Sequence, residues 1–183
     1  MAEVSLNLDG VKALIVDDDT YSVSVLSSIL RGFELRAQTI VPSCERAKEL
    51  LRESYFDVCI CNADLPGEHG TDLVRWIRRR SGELIRFAPV IVVTGYAKAD
   101  IVFEARDSGA NLVIKKPISA QSMYDRIDWV TRHDRPFIEC DDYIGPDRRH
   151  ASLGAPGGNE RRVSKVVPER YGSNSDGKVV VEL

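Results

Sequence analysis

The stretch Val11-Lys12-Ala13-Leu14-Ile15-Val16-Asp17-Asp18-Asp19 sets a nearly unbroken apolar run directly against three acids. Val, Ile and Leu without strict polar alternation suit a strand buried on both faces of a parallel sheet. Carboxylates at the end of such a strand are costly unless they bind a metal or pair with cations. Outward from this stretch, similar short runs recur at residues 35–41, 58–61, 89–94 and 112–115, which with 12–16 makes five strand candidates. Segments of helical spacing lie between them. Ser43 is placed to cap a helix carrying Ala47, Leu50 and Leu51, and Ser119 to cap one carrying Met123, Ile127 and Val130. A third has the apolar stripe Leu73, Val74 and Ile77, with Arg75, Arg78 and Arg79 largely outside it. Repeated strand–helix alternation predicts an α/β fold, a doubly wound five-stranded parallel sheet with right-handed crossovers.

At 183 residues the chain accommodates one domain and an extension, and a hydrophobic fraction of 43% is enough for a buried core. A net charge of −3 supplies no global attraction to nucleic acid or anionic membrane. Cys59 and Cys61 share one face of a predicted strand and cannot bridge each other; with Cys44 and Cys140 they read as free thiols, suited to a reducing, cytoplasmic location. No run approaches the roughly 20 apolar residues that a membrane span needs, and the first residues lack the pattern of a secretory signal.

Residues 1–9 read as a lead, 10–132 as the α/β domain, and 133–183 as an irregular extension rich in Gly, Pro and Arg. The extension repeats Gly145-Pro146-Asp147-Arg148-Arg149 loosely as Gly158-Asn159-Glu160-Arg161-Arg162. Its composition is not that of a second core.

In a doubly wound fold, ligand sites form at the carboxyl ends of the strands. The residues there are Asp17 and Asp18, Asn62, Thr94 and Lys116. With the turn Asp64-Leu65-Pro66-Gly67 and Gly70 after the third strand, Thr94-Gly95 after the fourth and Lys116-Pro117 after the fifth, residues 10–132 resemble the receiver domain of bacterial response regulators, the chemotaxis-regulator-like group with its flavodoxin-like fold. The resemblance implies a metal site for Mg²⁺ built from Asp17, Asp18 and the backbone carbonyl of Asp64. It also implies a phosphoryl pocket holding the Thr94 hydroxyl and the Lys116 ammonium, and an acceptor carboxylate at position 62. Asn62 stands there instead. Its neutral amide cannot form an acyl phosphate, and loss of one negative charge weakens Mg²⁺ binding. Asp64, two residues on, is the alternative acceptor. The family's aromatic rotor in the fifth strand is replaced by Val113, with Tyr96 as a substitute from the preceding loop.

These features predict an atypical, non-enzymatic receiver of a two-component phosphorelay that works through protein interaction, with a histidine kinase or a downstream regulator as partner. The alternatives are a receiver phosphorylated on Asp64, and a sensor of an anionic nucleotide second messenger through Arg148, Arg149, Arg161 and Arg162. The more economical role for those arginines is pairing with nearby acids. Arg78, Arg79 and Arg80 read as a solvated helix end. Acids interleaved with the tail arginines, and the lack of a helix-turn-helix pattern, argue against DNA binding. Phe137 and Tyr143 are apolar enough to anchor residues 136–149 on the receiver or on a second copy of the chain, and residues 179–181 could add to a sheet edge.

Overall fold

The computed structural model describes residues 8–80, 84–95, 99–132, 135–147 and 164–166. Five parallel strands, β1 (Lys12–Val16), β2 (Ala37–Val41), β3 (Val58–Asn62), β4 (Val90–Thr94) and β5 (Leu112–Lys115), form one sheet in the order β2-β1-β3-β4-β5. Between and after them run α1 (Thr20–Gly32), α2 (Cys44–Glu53), α3 (Gly70–Arg78), a 3-10 turn (Leu84–Phe87), α4 (Ala99–Ser108) and α5 (Ala120–Arg132). The strand order reverses between β1 and β3, which opens a crevice at their carboxyl ends. The five expected strands are all present, two of them with the expected ends and three with one end shifted by one or two residues.

The period-two geometry of the strands divides the core into two layers. Leu14, Val16, Cys59, Cys61, Val90 and Val92 face α2, α3 and α4. Ala13, Ile15, Ile60, Ile91, Val93 and Ile114 face Leu26 and Leu30 of α1 and Met123 and Ile127 of α5. Leu8, at the end of the presumed lead, is buried in the second layer, and its N–H donates to the Phe33 carbonyl. Both expected caps form: the Arg46 N–H donates to Ser43 Oγ at 3.3 Å, and the Ser122 N–H to Ser119 Oγ at 3.1 Å.

Arg78 corrects the reading of the arginine run as a solvated face. Its side chain is 1% exposed. Nε donates to the Gly109 carbonyl (2.9 Å), Nη1 to the Arg86 and Ala88 carbonyls (2.6 and 2.9 Å), and Nη2 to Asn111 Oδ1 (2.8 Å). Arg78 lies four residues after Val74 and next to Ile77, so it continues the buried side of α3 into the turns before β4 and β5. Arg79 is exposed, and Arg80 stacks on the ring of Trp76.

The extension also departs from expectation. Where described it is regular: β6 (Phe137–Cys140) and β7 (Tyr143–Pro146) form an antiparallel hairpin closed by Asp141 and Asp142, and β8 (Ser164–Val166) pairs with the other edge of β6. The strands are too short to display an alternating pattern, and Asp-Asp is not among the usual two-residue hairpin turns. Phe137 and Tyr143 are both buried, as expected of anchors. The Phe137 ring lies 5.1 Å from the Arg78 guanidinium carbon and 5.2 Å, edge to face, from Phe87. Tyr143 Oη donates to the Pro146 carbonyl, and Arg86 pairs with Glu139 at 2.9 Å. Gly145 lies on Gly109, where a Cβ on Gly145 would stand 2.8 Å from the Gly109 Cα. A Cβ on Gly109, whose φ is +99°, would stand 2.5 Å from the Ile144 carbonyl oxygen. Glycine is therefore required on both sides of the contact. Residues 148–162 and 179–181, with Arg148, Arg149, Arg161 and Arg162, lie outside the described residues, as does Tyr96.

Arg78→Ala should destabilise the protein by about 3 kcal/mol or more, because the buried Gly109, Arg86 and Ala88 carbonyls lose their donor, while Asn111 Oδ1 keeps the Val90 N–H. Phe137→Ala should cost about 2–4 kcal/mol. The double variant should cost less than the sum, since the two side chains share one contact; urea unfolding of the four proteins checks all three values.

Candidate functional site

The carboxyl ends of β1, β3, β4 and β5 bring together the acids and the lysine picked out in the sequence. Asp17, the first residue after β1, is 6% exposed. Its Oδ2 accepts from Lys116 Nζ at 2.9 Å. Its Oδ1 accepts from Asn62 Nδ2 at 3.2 Å and from the Asp19 N–H at 3.1 Å. Asn62 Nδ2 also donates to the Asp64 backbone carbonyl at 2.7 Å. One buried carboxylate thus receives three donors, which compensate its desolvation. Lys116 is positioned by its own N–H, which donates to the Thr94 carbonyl at 2.7 Å; the Lys116–Pro117 bond that follows β5 is cis. Thr94 is fully buried at the end of β4.

The start of α3 presses on the same place. A Cβ on Gly70 would stand 2.1 Å from the Asn62 carbonyl oxygen and 2.9 Å from Cys61 Sγ, so no larger residue fits. The next residue, Thr71, donates from Oγ1 to Glu104 of α4 at 2.9 Å. Asp18 is exposed and, with Asp17, heads an open groove along α1 past Ser24 and Ser28 to Arg31. Asp19 is the N-cap of α1, its carboxylate accepting from the Tyr21 N–H at 3.0 Å. Of the three adjacent acids, then, one is in the pocket, one on its rim and one caps a helix. An acid directly before the first helical residues was the signal for the third role.

Two thiols lie behind Asn62. Cys61 precedes it in β3, and Cys44 opens α2. The hydrogen bond from Cys61 holds the Cys44 thiol below its ordinary pKa, while the same bond and burial push Cys61 well up. Cys59, fully buried, is pushed up to about 12 by desolvation.

Asp64 is exposed and meets the pocket through its backbone carbonyl. Val113 is partly buried against the α2–α3–α4 layer. Phe137 and Tyr143 sit at the opposite, amino end of the sheet, beside the turns that precede β4 and β5. Among the described residues no group of three or more His, Cys, Asp or Glu side chains is placed to hold a metal ion, and no helix is long and apolar enough to cross a membrane.

This layout of strand ends invites comparison with known proteins. The family described as the response regulator receiver domain matches residues 13–128. The chain belongs to that family. Among receiver proteins it is 30% identical over 118 residues to the chemotaxis protein CheY of Pseudomonas aeruginosa, covering 64% of this chain and 94% of CheY. It is 34% identical over 137 residues to the response regulator FleR of the same organism, but that match spans only 27% of FleR. A crystal structure of a putative response regulator from Chloroflexus aurantiacus superposes with a TM-score of 0.60 at 27% identity, over 64% of this chain and 93% of that one. The receiver domain of the sensor histidine kinase PA1611 from Pseudomonas aeruginosa, which carries magnesium in its active-site cleft, shares the fold with a TM-score of 0.59 at 23% identity, over 66% of this chain and 98% of that one.

Lys116→Ala should remove the counter-charge of a nearly dry carboxylate and cost about 1–3 kcal/mol. Asp17→Asn added to it should recover part of that loss. Thermal unfolding of both variants at low ionic strength provides the check.

Proposed function

We propose that this chain is a two-component receiver whose pocket is balanced without metal and which signals through protein contact, not through phosphorylation at position 62. The observation that carries this reading is the placement of the Asn62 amide. Its Nδ2 donates to a carboxylate oxygen of Asp17 and to the carbonyl of Asp64, two of the oxygens to which the family resemblance assigns the metal. Amide hydrogens directed at those oxygens stabilise them as a cation would, and they repel a cation brought to the same point. The donor set in this arrangement does not fit Mg²⁺, which needs free lone pairs in near-octahedral array. Lys116 supplies the remaining positive charge.

Asn62 is also no nucleophile for phosphoryl transfer: displacement by a neutral amide oxygen leaves no stable acyl phosphate. Asp64 is not favoured as a replacement, because its carbonyl faces the pocket residues while the residue itself lies exposed at the turn. The function left to the domain is recognition by a histidine kinase or a downstream regulator that reads one fixed pocket state. The arginines of the nucleotide-sensing alternative, Arg148, Arg149, Arg161 and Arg162, lie outside the described residues.

Incubation with Mg²⁺ and acetyl phosphate, followed by intact mass measurement, tests the proposal. The wild-type chain should remain unmodified, and Asn62→Asp should gain a labile phosphoryl group and a Mg²⁺ affinity at least tenfold higher. Substantial labelling of the wild-type chain would overturn the reading, and peptide mapping would then show whether Asp64 carries the group.

A further inference from the structure

The groove that runs along α1 from the pocket has a volume of about 410 Å³. Asp17 and Asp18 stand at its head, Arg31 lies at its far end, and Val23, Ile40 and Pro42 give it an apolar lining between them. Ile40 belongs to β2, an edge strand of the sheet, and is 45% exposed. Among the described residues neither Asp18 nor Arg31 has an ion pair or a side-chain hydrogen bond. The other surface arginines Arg36, Arg46, Arg75 and Arg106 each pair with an acid. An occupant that fits this groove carries a cation, an apolar middle and an anion, in that order. From Thr20 to Arg31 the helix rises about 16 Å, and the Arg31 side chain leans back toward the helix start, which shortens the span.

The sequence Lys178-Val179-Val180-Val181-Glu182, outside the described residues, has that order. Side chains of an extended chain alternate, so Lys178, Val180 and Glu182 would share a face, with about 13 Å from the first to the last. The similar stretch Lys165-Val166-Val167-Pro168-Glu169 begins in β8, which is paired with β6, and residues 1–7 contain no Lys or Arg.

We propose that residues 178–182 occupy this groove in the same molecule, antiparallel to β2, with Lys178 at Asp18, Val180 on Val23 and Ile40, and Glu182 at Arg31. Residues 167–177 can stretch to about 40 Å. A domain of this size has a radius of gyration of about 14 Å, so the segment reaches the groove without a second copy. Exposed ion pairs contribute little individually. A tethered segment, however, is held at an effective concentration on the order of millimolar, which populates a contact too weak to persist between separate molecules. Asp18 stands on the rim of the Asp17 pocket, so the segment competes with any other partner for that rim and for the apolar surface between α1 and β2.

The test treats the full chain with a water-soluble carbodiimide, which joins touching amines and carboxylates with loss of water. Monomer isolated by gel filtration is then digested and mapped by mass spectrometry. The expected product is a Lys178–Asp18 cross-linked peptide. Arg31→Glu, which reverses the charge at the far end, should cut its yield at least threefold, and adding Glu182→Lys should restore it. Glu182→Lys alone, outside the described residues, should cut the yield by a similar factor. Melting curves recorded before treatment confirm that each variant is folded. Lys178 left unlinked or joined mainly to other acids, a Lys178–Asp18 link found only between two chains, or a yield indifferent to both charge reversals would overturn the proposal. The result is independent of whether position 62 accepts phosphate.

Discussion

A single guanidinium organises the amino end of the sheet. Arg78 donates four hydrogen bonds to oxygens that belong to three separate stretches: the 3-10 turn with the residue pair before β4, the end of α4, and the start of β5. Carbonyls in such turns have no ladder partner, so burying them without a donor would be costly. Arginine is suited to the place because its planar fork presents several donors in fixed directions and keeps its charge under any condition the fold survives. With the cation held there, its face is available to Phe137, and the hairpin of the extension follows. The α/β domain and the extension are therefore joined by the same side chain that closes the turns of the domain.

The carboxyl end of the sheet poses the opposite electrostatic problem. There an acid is buried and the fold must supply hydrogens to it. Asp17 receives them from Lys116, Asn62 and a backbone N–H. Each donor is held from a different strand end or loop, so the carboxylate becomes the point where β1, β3 and β5 are tied together. Gly70 adds a steric constraint from α3, which starts against Asn62 and runs nine residues to Arg78. A helix of that length spans about 13 Å, enough to run from one end of the sheet to the other with both termini fixed.

Much of this was legible in the sequence. The five strands announced themselves because parallel strands buried on both faces are nearly all apolar, and the serine caps because Ser43 and Ser119 immediately precede helical periodicity. The pocket residues were legible because a doubly wound fold fixes where strand ends converge, so Asp17, Asn62, Thr94 and Lys116 could be placed together before any coordinate was known. Arg78 was not, because charge in a run of three arginines outweighs the weak hint of its i+4 spacing from Val74. The hairpin was missed because four-residue strands carry too little pattern, although the apolar pairs Phe137-Ile138 and Tyr143-Ile144 flanking two acids were visible.

The identity of residue 62 has a consequence that follows from hydrogen count alone. A carboxylate at that position would put its oxygens opposite the Asp17 carboxylate and the Asp64 carbonyl, three acceptor groups with Lys116 as the only fixed cation contacting them among the described residues. Such a cluster must recruit a proton or a metal ion to be stable at neutral pH. Replacing one oxygen by an NH₂ group changes the balance twice, by removing a negative charge and by supplying two hydrogens that reach the two remaining acceptors. The Asn62 amide directs its hydrogens at the Asp17 carboxylate and the Asp64 carbonyl instead. Because Asp and Asn have nearly the same shape, the backbone around position 62 need not differ between the two.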